Sequence, residues 1–398
     1  MDKRAYWIWA QQAFGPASRK PCLLQSQYKG GLEEFCRGGP KLWNTRRDLT
    51  DRETAALRDF SIRQAEARLE YADKVGWQVL TPECEKYPEL LRNISDPPAV
   101  LYLQGTMPDL DRMLSIGIIG ARKATDASQD AARKFGYQLA AGNACVVSGG
   151  AVGVDSSALT GALGIPGSKV ISVLPVSLDS TYITQNAKLR KMIVSHGGAL
   201  LTEYFSLSSP LYDTFRERNR LITGLSRGVL LIQAAQKSGT ISYANHALDQ
   251  NRDVFVYPGP TGAGASAPEF AGSRALIADG ARAVTCGEDI LADYEDGGQA
   301  FPAPPIYDLF GDLPLPAAAQ PEPVFASAEA SPALADVTAG LSPQAKQVLE
   351  ALGAEPLSVA DLAERTGLPA SSLLGILTEL ELEELADSLP GKRYRRGF

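Results

Sequence analysis

The sequence has few of the residues that metal sites and hydrolytic triads need. Among its 398 residues there are only two histidines, His196 and His246, and five scattered cysteines. The cysteines lack the short spacings typical of zinc ligands, and their odd number leaves one unpaired. We therefore expect no metal centre, no Ser-His-Asp triad and no cofactor. Free cysteines fit a reducing cytoplasm best.

Long apolar runs are also absent. No stretch approaches the roughly 18 consecutive apolar residues that span a bilayer, and the N-terminal MDKRAYWIWAQQAFGP lacks the pattern of a signal peptide. We expect a cytoplasmic protein that makes no membrane contact. Its 44% hydrophobic and 21% charged residues are typical of a globular chain, and its length predicts two or three domains.

Basic residues are missing from one segment and concentrated in another. Residues 286–340 contain ten acidic and no basic residues, and residues 297–340 hold eight prolines, which predicts a flexible linker. Residues 112–285 carry 17 basic and 11 acidic residues, a net charge of +6, although the whole chain has −7. That part of the chain can attract phosphates, but an excess of this size is also ordinary for a protein surface.

The segment Ser115–Asp155 repeats a strand, a turn and a helix twice. The first turn holds Arg122 and Lys123 and leads to a helix that Thr125 can cap, and the second is Ser148-Gly149-Gly150. Helix N-termini offer unpaired N–H groups and the positive end of the helix dipole, so glycine-rich turns there bind phosphates. Glycine also serves simply to pack a helix on a sheet. Two adjacent turns, one with two cations, favour an anion site.

Apolar strands alternate with helical stretches through the rest of this region. After the opening unit they are predicted at 170–174, 199–203, 229–232, 254–257 and 283–285. Such alternation predicts a mostly parallel sheet covered on both faces, preceded by an edge strand at 100–103. Ligands of such sheets bind beyond the carboxyl ends of the strands, where Lys237-Ser238-Gly239-Thr240 should also lie.

A basic segment, FRERNRLITGLSRG at 215–228, precedes the strand at 229–232. It places three arginines around Asn219: Arg216, Arg218 and Arg220. Guanidinium groups grip phosphates and stack on bases. Alternatively, one or two of these arginines pair with Glu217 or Asp213 and only tie loops together. We expect a mixture, with at least one arginine facing ligand.

Two flanking regions complete the chain. Residues 1–75 predict a small helical domain, including one long helix from a Thr50–Glu53 capping box through Lys74. The segment that follows, 76–105, predicts a turn-rich connector that leads into the edge strand.

Residues 341–398 predict three helices and a strand-turn-strand, the pattern of a winged helix-turn-helix domain. Its third helix carries four glutamates and no Arg or Lys, which argues against direct duplex reading by that helix. The domain could instead dock a protein, or touch phosphates through the basic residues of its wing: Lys392, Arg393, Arg395 and Arg396.

Seven segments occur in an order that resembles the DprA/Smf family of bacterial DNA-processing proteins. They are YPELLRNISDPPAVLYLQG, IIGARKAT, VVSGGAVGVDSSA, FRERNRLITGLS, KSGTISYANHAL, VFVYPGP and RALIADGA. The resemblance covers nearly the whole chain. It implies a sterile-alpha-motif-like helical domain (1–75), an extended Rossmann-like core with its connector (76–296), the linker (297–340) and a winged helix (341–398).

The resemblance also implies a function. Members of this family bind single-stranded DNA, dimerise through the core and load the recombinase RecA onto DNA covered by single-strand-binding protein, in natural transformation. By analogy Arg122 corresponds to a phosphate-binding arginine, and Ser148 to Gly150 form a second cradle. The FRERNR and KSGT segments would line the same pocket, and Lys188 is the nearest substitute for a further basic residue. The chain departs from the family pattern at four positions: Leu159, Ile183, Gln233 and Arg274.

Two other classes of function remain open. Similar Rossmann-like domains process nucleotides, as phosphoribohydrolases do, and would need an acid near the sugar, for which only Asp155 and Glu203 are attractive. A protein-docking adaptor is the third class, and the acidic winged helix supports it. From the residues and the resemblance together we expect a non-enzymatic, sequence-tolerant single-strand DNA binder.

Overall fold

The structure is a computed structural model of the full chain. It describes residues 2–180, 186–207, 212–260, 267–295, 342–352 and 357–369, and beyond these 373, 376–377, 380, 386–389 and 393–396. The described residues up to 295 belong to one compact unit, and those from 342 onward belong to a second. The predicted linker and Ile183 lie outside the described residues.

Five helices precede the sheet: α1 (Arg4–Phe14), α2 (Lys20–Gln27), α3 (Gly31–Trp43), α4 (Asp51–Asp59) and α5 (Ile62–Lys74). The Thr50–Glu53 capping box is confirmed at the start of α4. The single long helix expected from Thr50 to Lys74 is wrong, because the chain is extended at Phe60 and Ser61. Ser61 and Gln64 form a second capping box, which starts α5 anew.

A nine-stranded sheet forms the centre of the first unit. Its strands are β1 (Gln78–Leu80), β2 (Leu101–Gly105), β3 (Ser115–Ile119), β4 (Cys145–Ser148), β5 (Val170–Val173), β6 (Ala199–Thr202), β7 (Gly228–Leu231), β8 (Asp253–Val256) and β9 (Arg282–Ala283). Their order across the sheet is β1-β2-β6-β5-β4-β3-β7-β8-β9. The pairs from β6 to β9 are parallel, and β1 and β2 add an antiparallel edge. The prediction of a mostly parallel sheet is confirmed.

Helices connect the strands and cover the sheet: α6 (Glu89–Arg92), α7 (Asp126–Ala141), α8 (Val154–Leu163), α9 (Ala187–Ser195), α10 (Tyr212–Gly224), α11 (Ile241–Asp249), α12 (Ala271–Ala278) and α13 (Gly287–Glu295). Successive side chains of a strand point to opposite faces, so Ile118 joins a core cluster with α7 and α8 while Ile119 joins another with α10 and α11. Thr125 accepts a hydrogen bond from Ser128 N at the start of α7, which confirms the predicted cap.

The N-terminal helices pack directly on the sheet and share its first core cluster. Gln11 of α1 is buried, and its amide bridges residues that flank two strands. Nε2 donates to O of Glu203, just after β6 (2.8 Å), and Oε1 accepts from N of Val100, just before β2 (2.8 Å). The guanidinium of Arg68 on α5 lies between the rings of Phe60 and Phe205, at 4.3 and 5.0 Å from their centres. The helical region is therefore joined to the core by polar bonds as well as apolar packing.

The second unit contains α14 (Pro343–Ala351), α15 (Val359–Thr366), β10 (Leu357–Ser358), β11 (Ala386–Leu389) and β12 (Arg393–Arg396). Ser342 and Ser358 cap the two helices, and β12 pairs antiparallel with both other strands. Buried Leu373, Leu377 and Leu380, from the predicted third helix, join the core of this unit. The two strands of the predicted strand-turn-strand are confirmed, and β10 is an additional strand.

Candidate functional site

The topology creates a crevice at one edge of the sheet. From β3 the chain proceeds through β4 and β5 to β6 in one direction, and then crosses back so that β7 pairs with the other side of β3. The connections after β3 and β7 therefore leave toward opposite faces, which opens a crevice between their carboxyl ends. The turns at 120–125 and 232–240 border this crevice, and the turn at 148–153 after β4 lies beside it.

The first turn presents two cations. Lys123 is exposed, and Arg122 is partly buried with its guanidinium 4.5 Å from the centre of the Phe215 ring on α10. A cation over an aromatic face at this distance is attracted by the ring quadrupole, which favours one orientation of the guanidinium. Helix α7 starts directly after the turn, so its N-terminal dipole adds positive potential near both side chains.

Gln233, at the end of β7, spans the crevice. Its Oε1 accepts a hydrogen bond from Thr125 N (3.1 Å), and its Nε2 donates to Lys123 O (3.4 Å). The side chain is buried. A neutral amide can both accept and donate. Gln233 therefore connects the two turns without adding a negative charge to the crevice.

The second turn approaches the basic helix closely. A Cβ added at Gly149 would lie 1.6 Å from Arg218 Nη1 and 2.6 Å from Asp155 Oδ2, so any side chain there would displace one of these groups. Asn186, just before α9, donates to Gly150 O (2.6 Å). The hydroxyl of Ser148 donates to Ile118 O (2.6 Å) inside the sheet, so it fixes the turn and does not face the crevice.

Gly153 joins the second turn to the first. Its φ is +90°, and an added Cβ would lie 2.3 Å from Arg122 O and 2.6 Å from Ala121 O. The next residue, Val154, donates its N–H to Ala121 O (3.2 Å). Only glycine tolerates both this φ and this close approach. The two predicted cradles are therefore one connected structure.

Arg218 and Asp155 lie beneath this structure. Both are buried, at 3% and 5% exposure, and Arg218 Nη1 also donates to Val173 O (3.3 Å). Burial raises the pKa of Asp155, while the positive charge of Arg218 and the backbone N–H of Ala151 oppose that shift. Burial also raises the pKa of Tyr243 to about 12, with Arg218, Asp155 and Arg122 all close enough to act on it. Tyr243 is therefore a neutral hydroxyl at physiological pH.

The remaining predicted residues differ in their exposure. Arg216 is exposed on α10, and Asn219 is buried with its Nδ2 3.4 Å from Ser242 Oγ. Lys188 is exposed two residues after Asn186, near the second turn. Lys237 and Gly239 are exposed in the turn before α11, whose other members Ser238 and Thr240 bond to each other through their hydroxyls (2.9 Å).

Arg220 is placed differently from the other arginines. Its side chain is 3% exposed, Nη2 lies 2.6 Å from Glu203 Oε1, and Nε lies 3.3 Å from Asp96 Oδ2. It therefore pairs with these two carboxylates, whereas the sequence alternative named Glu217 or Asp213. Glu217 instead accepts from Tyr204 Oη (2.5 Å).

Sequence reasoning missed three residues that shape the crevice: Phe215, Tyr243 and Asn186. Phe215 and Tyr243 stand inside the segments FRERNR and SGTISY, where their aromatic character was a usable signal next to the basic residues. Asn186 gave no signal, because its contact with Gly150 O joins positions far apart in the chain.

The two candidate acids are engaged inside the protein. Asp155 accepts from Ala151 N (3.4 Å) beneath Gly149, and Glu203 pairs with Arg220.

Within the described ranges there is no group of three or more His, Cys, Asp or Glu side chains that could hold a metal ion. In the same part of the chain, every helix is too short or too polar to cross a membrane. The crevice is equipped to bind anions through Arg, Lys and backbone N–H groups.

The fold and crevice define a class. The chain combines a Rossmann-like α/β core, a basic crevice lined by glycines at the switch point, and a small winged-helix unit. This combination is typical of proteins that bind nucleic acids. Comparison with known families makes this specific. The family model described as DNA recombination-mediator protein A matches residues 78–295, and the DprA winged helix domain matches residues 328–392. The chain belongs to the DNA recombination-mediator protein A family.

Individual relatives agree with this assignment. The chain is 32% identical to Protein Smf of Synechocystis over 331 residues, which cover 80% of each chain. It is 30% identical to Protein Smf of Escherichia coli over 347 residues, covering 87% of this chain and 85% of the relative. The X-ray structure of DNA processing protein A from Streptococcus pneumoniae superposes with a TM-score of 0.61 and 26% identity, over 74% of this chain and 99% of that one.

Proposed function

We propose that the chain is a single-stranded DNA-binding recombination mediator that loads RecA onto incoming DNA in natural transformation. The observation that carries the binding proposal is the connected crevice at the switch point. There two glycine turns meet, and the first of them carries Arg122 and Lys123. Arg216 is exposed on α10, the helix whose Phe215 contacts Arg122. Helix N-termini and guanidinium groups bind phosphates without regard to base sequence, so binding should tolerate sequence and weaken strongly with salt.

The finer parts of this proposal rest on the family. A recombination mediator needs RecA as its partner and acts on DNA that single-strand-binding protein covers. We propose both as partners in the cytoplasm, with a second copy of the chain forming a homodimer. In this proposed activity the basic crevice binds the phosphates. The winged helix is then available for a contact of a different kind.

An enzymatic function has no comparable support. A phosphoribohydrolase would need a carboxylate open to water and substrate, but Asp155 lies under Gly149 beside Arg218. Glu203 is 2% exposed and pairs with Arg220. We therefore propose no catalytic residue.

The test is binding of fluorescent single-stranded and duplex oligonucleotides across a salt series. We expect tight single-strand binding. Arg122→Ala should weaken it and should make the slope of log K against log salt shallower, by about the amount that one phosphate contact contributes. The control is Arg112→Ala. Arg112 is an exposed arginine just before the amino end of β3, whereas the crevice lies at the carboxyl ends of the strands. Weak wild-type binding without a salt slope, or equal losses in both variants, would contradict the proposal.

A further inference from the structure

A buried ion pair connects the basic helix α10 to Glu203, the residue that directly follows β6. Arg220 of α10 and Glu203, which follows β6, have side-chain exposures of 3% and 1%, and their charged atoms are 2.6 Å apart. Asp96 of the connector approaches the same guanidinium at 3.3 Å and is partly exposed. The pair therefore joins α10, the sheet and the connector at one point in the interior.

Glu203 is also the point where the helical region is attached. Its backbone carbonyl accepts from Gln11 Nε2 (2.8 Å), and its Oε1 accepts from Ala17 N (3.4 Å) in the loop after α1. Gln11 in turn accepts from Val100 N just before β2. A chain of direct contacts thus runs from α1 through Glu203 to Arg220.

The network has little redundancy. Among the described residues, Arg220 Nη1 and Glu203 Oε2 are buried without a hydrogen-bond partner. Removing one member of a buried pair leaves the other charge uncompensated, which is far more costly than replacing both by apolar groups of similar size. Loss of either member alone should therefore move the surrounding elements.

Helix α10 carries the groups that face the crevice. Arg218 lies half a turn before Arg220 and reaches under Gly149. Phe215, which holds the Arg122 guanidinium, is on the same helix. A shift of α10 would therefore misplace several anion-binding groups together.

We infer that Arg220 is a positioning residue for single-stranded DNA and not a DNA contact: with Glu203 it holds α10, so that docking of the N-terminal helices and DNA binding are thermodynamically coupled. This inference rests on the proposed function. Coupling of this kind is reciprocal, so bound DNA also stabilises the docked helical region.

The first experiment compares salt slopes of full-length variants, at a temperature where circular dichroism shows each to be folded. Arg220→Met should weaken single-strand binding about tenfold while the slope stays that of the wild type, because no phosphate contact is lost. The double variant Arg220→Met/Glu203→Met should recover most of the affinity. A slope lowered as in Arg122→Ala, or no recovery in the double variant, would overturn the inference.

The second experiment tests the link to the helical region. Gln11→Ala should weaken binding two- to threefold, again without changing the slope. Gln12→Ala is the matched control, because Gln12 is the exposed neighbour and its amide oxygen accepts from Arg68 within the helical region. Equal affinities for the wild type and Gln11→Ala would overturn the coupling. If the wild type itself does not bind single-stranded DNA, the proposed function fails first, and that outcome is distinct from either of these.

Discussion

At Gly153 two separate turns become one site. The residue has a positive φ and lies against two carbonyl oxygens of the first turn, so its missing side chain sets the distance between the turns. Gly239, in the turn before α11, has no heavy atom within 4 Å of an added Cβ. The two glycines look alike in sequence, but only one of them requires glycine for packing.

We predict that Gly153→Ala lowers the free energy of unfolding by about 2 to 4 kcal/mol, from the strained φ and the overlap with Arg122 O. It should also weaken DNA binding, because Arg122 follows the displaced backbone. Urea denaturation and oligonucleotide titration measure the two effects. Gly239→Ala is the control and should change stability by less than about 1 kcal/mol. Similar losses in both variants would show that close packing at Gly153 is not the cause.

Residue roles were only partly predictable from sequence. The Thr125 cap could be predicted because its hydrogen bond to Ser128 N is local. Arg216, Arg218 and Arg220 could not be told apart, because their burial and partners depend on long-range packing. Arg216 is exposed, Arg218 donates to Val173 O, and Arg220 pairs with Glu203. The alternation of these arginines indicated phosphate-binding chemistry, but not which way each side chain points.

At the scale of elements, the start of α13 depends on one carboxylate. Asp289 Oδ2 accepts from Thr285 N (2.7 Å) and Cys286 N (3.2 Å), the backbone N–H groups of the two residues that directly precede the helix. These hydrogen bonds, with that from Thr285 N the strongest, lower the pKa of Asp289. A lowered pKa means that the stabilisation is present above the ordinary pKa and is lost as the pH falls through the folded value.

We therefore predict that Asp289→Ala costs about 1 kcal/mol of stability at neutral pH, as loss of a cap does, and progressively less as the pH falls below about 4. Thermal unfolding of both proteins between pH 2.5 and 7 measures this. Asp279→Ala is the control, since Asp279 is an exposed aspartate at the C-terminal end of α12. A difference for Asp289→Ala that does not change with pH would exclude the carboxylate as its cause.

Element types were more predictable than element limits. The strands of the parallel core were predicted close to their observed bounds, because each is a short apolar run between polar turns. The apolar spacing gives no sign of the break at Phe60 and Ser61, because it continues across both residues. The signal was present in Ser61 and Gln64, which repeat the capping-box pattern already recognised at Thr50.

At the scale of the whole molecule, the two compact units have separate cores. The sheet and the N-terminal helices share apolar clusters, whereas Leu349, Leu362 and Leu377 belong to a cluster of the second unit alone. We predict two calorimetric unfolding transitions, because domains with independent cores unfold independently. A variant that ends at residue 295 should lose one transition and keep the temperature of the other. One transition with equal calorimetric and van't Hoff enthalpies would contradict this.

The order of strands was beyond local sequence reasoning. The return from β6 to β7 on the far side of β3 creates the crevice, yet no residue between them signals where β7 will pair. The docking of α1 through Gln11 likewise depends on partners about 90 and 190 positions away. Such features follow from how the whole chain packs, so the resemblance to a family indicated them better than any single motif.

The outer strands of the sheet have a consequence for behaviour at high local concentration. β1 has three residues and β9 has two, so each edge offers few unpaired backbone groups to another chain. Short edge strands resist the strand-to-strand joining that leads to aggregation. On the single-stranded DNA proposed as its ligand, many copies could therefore crowd together without joining through the edges of this sheet.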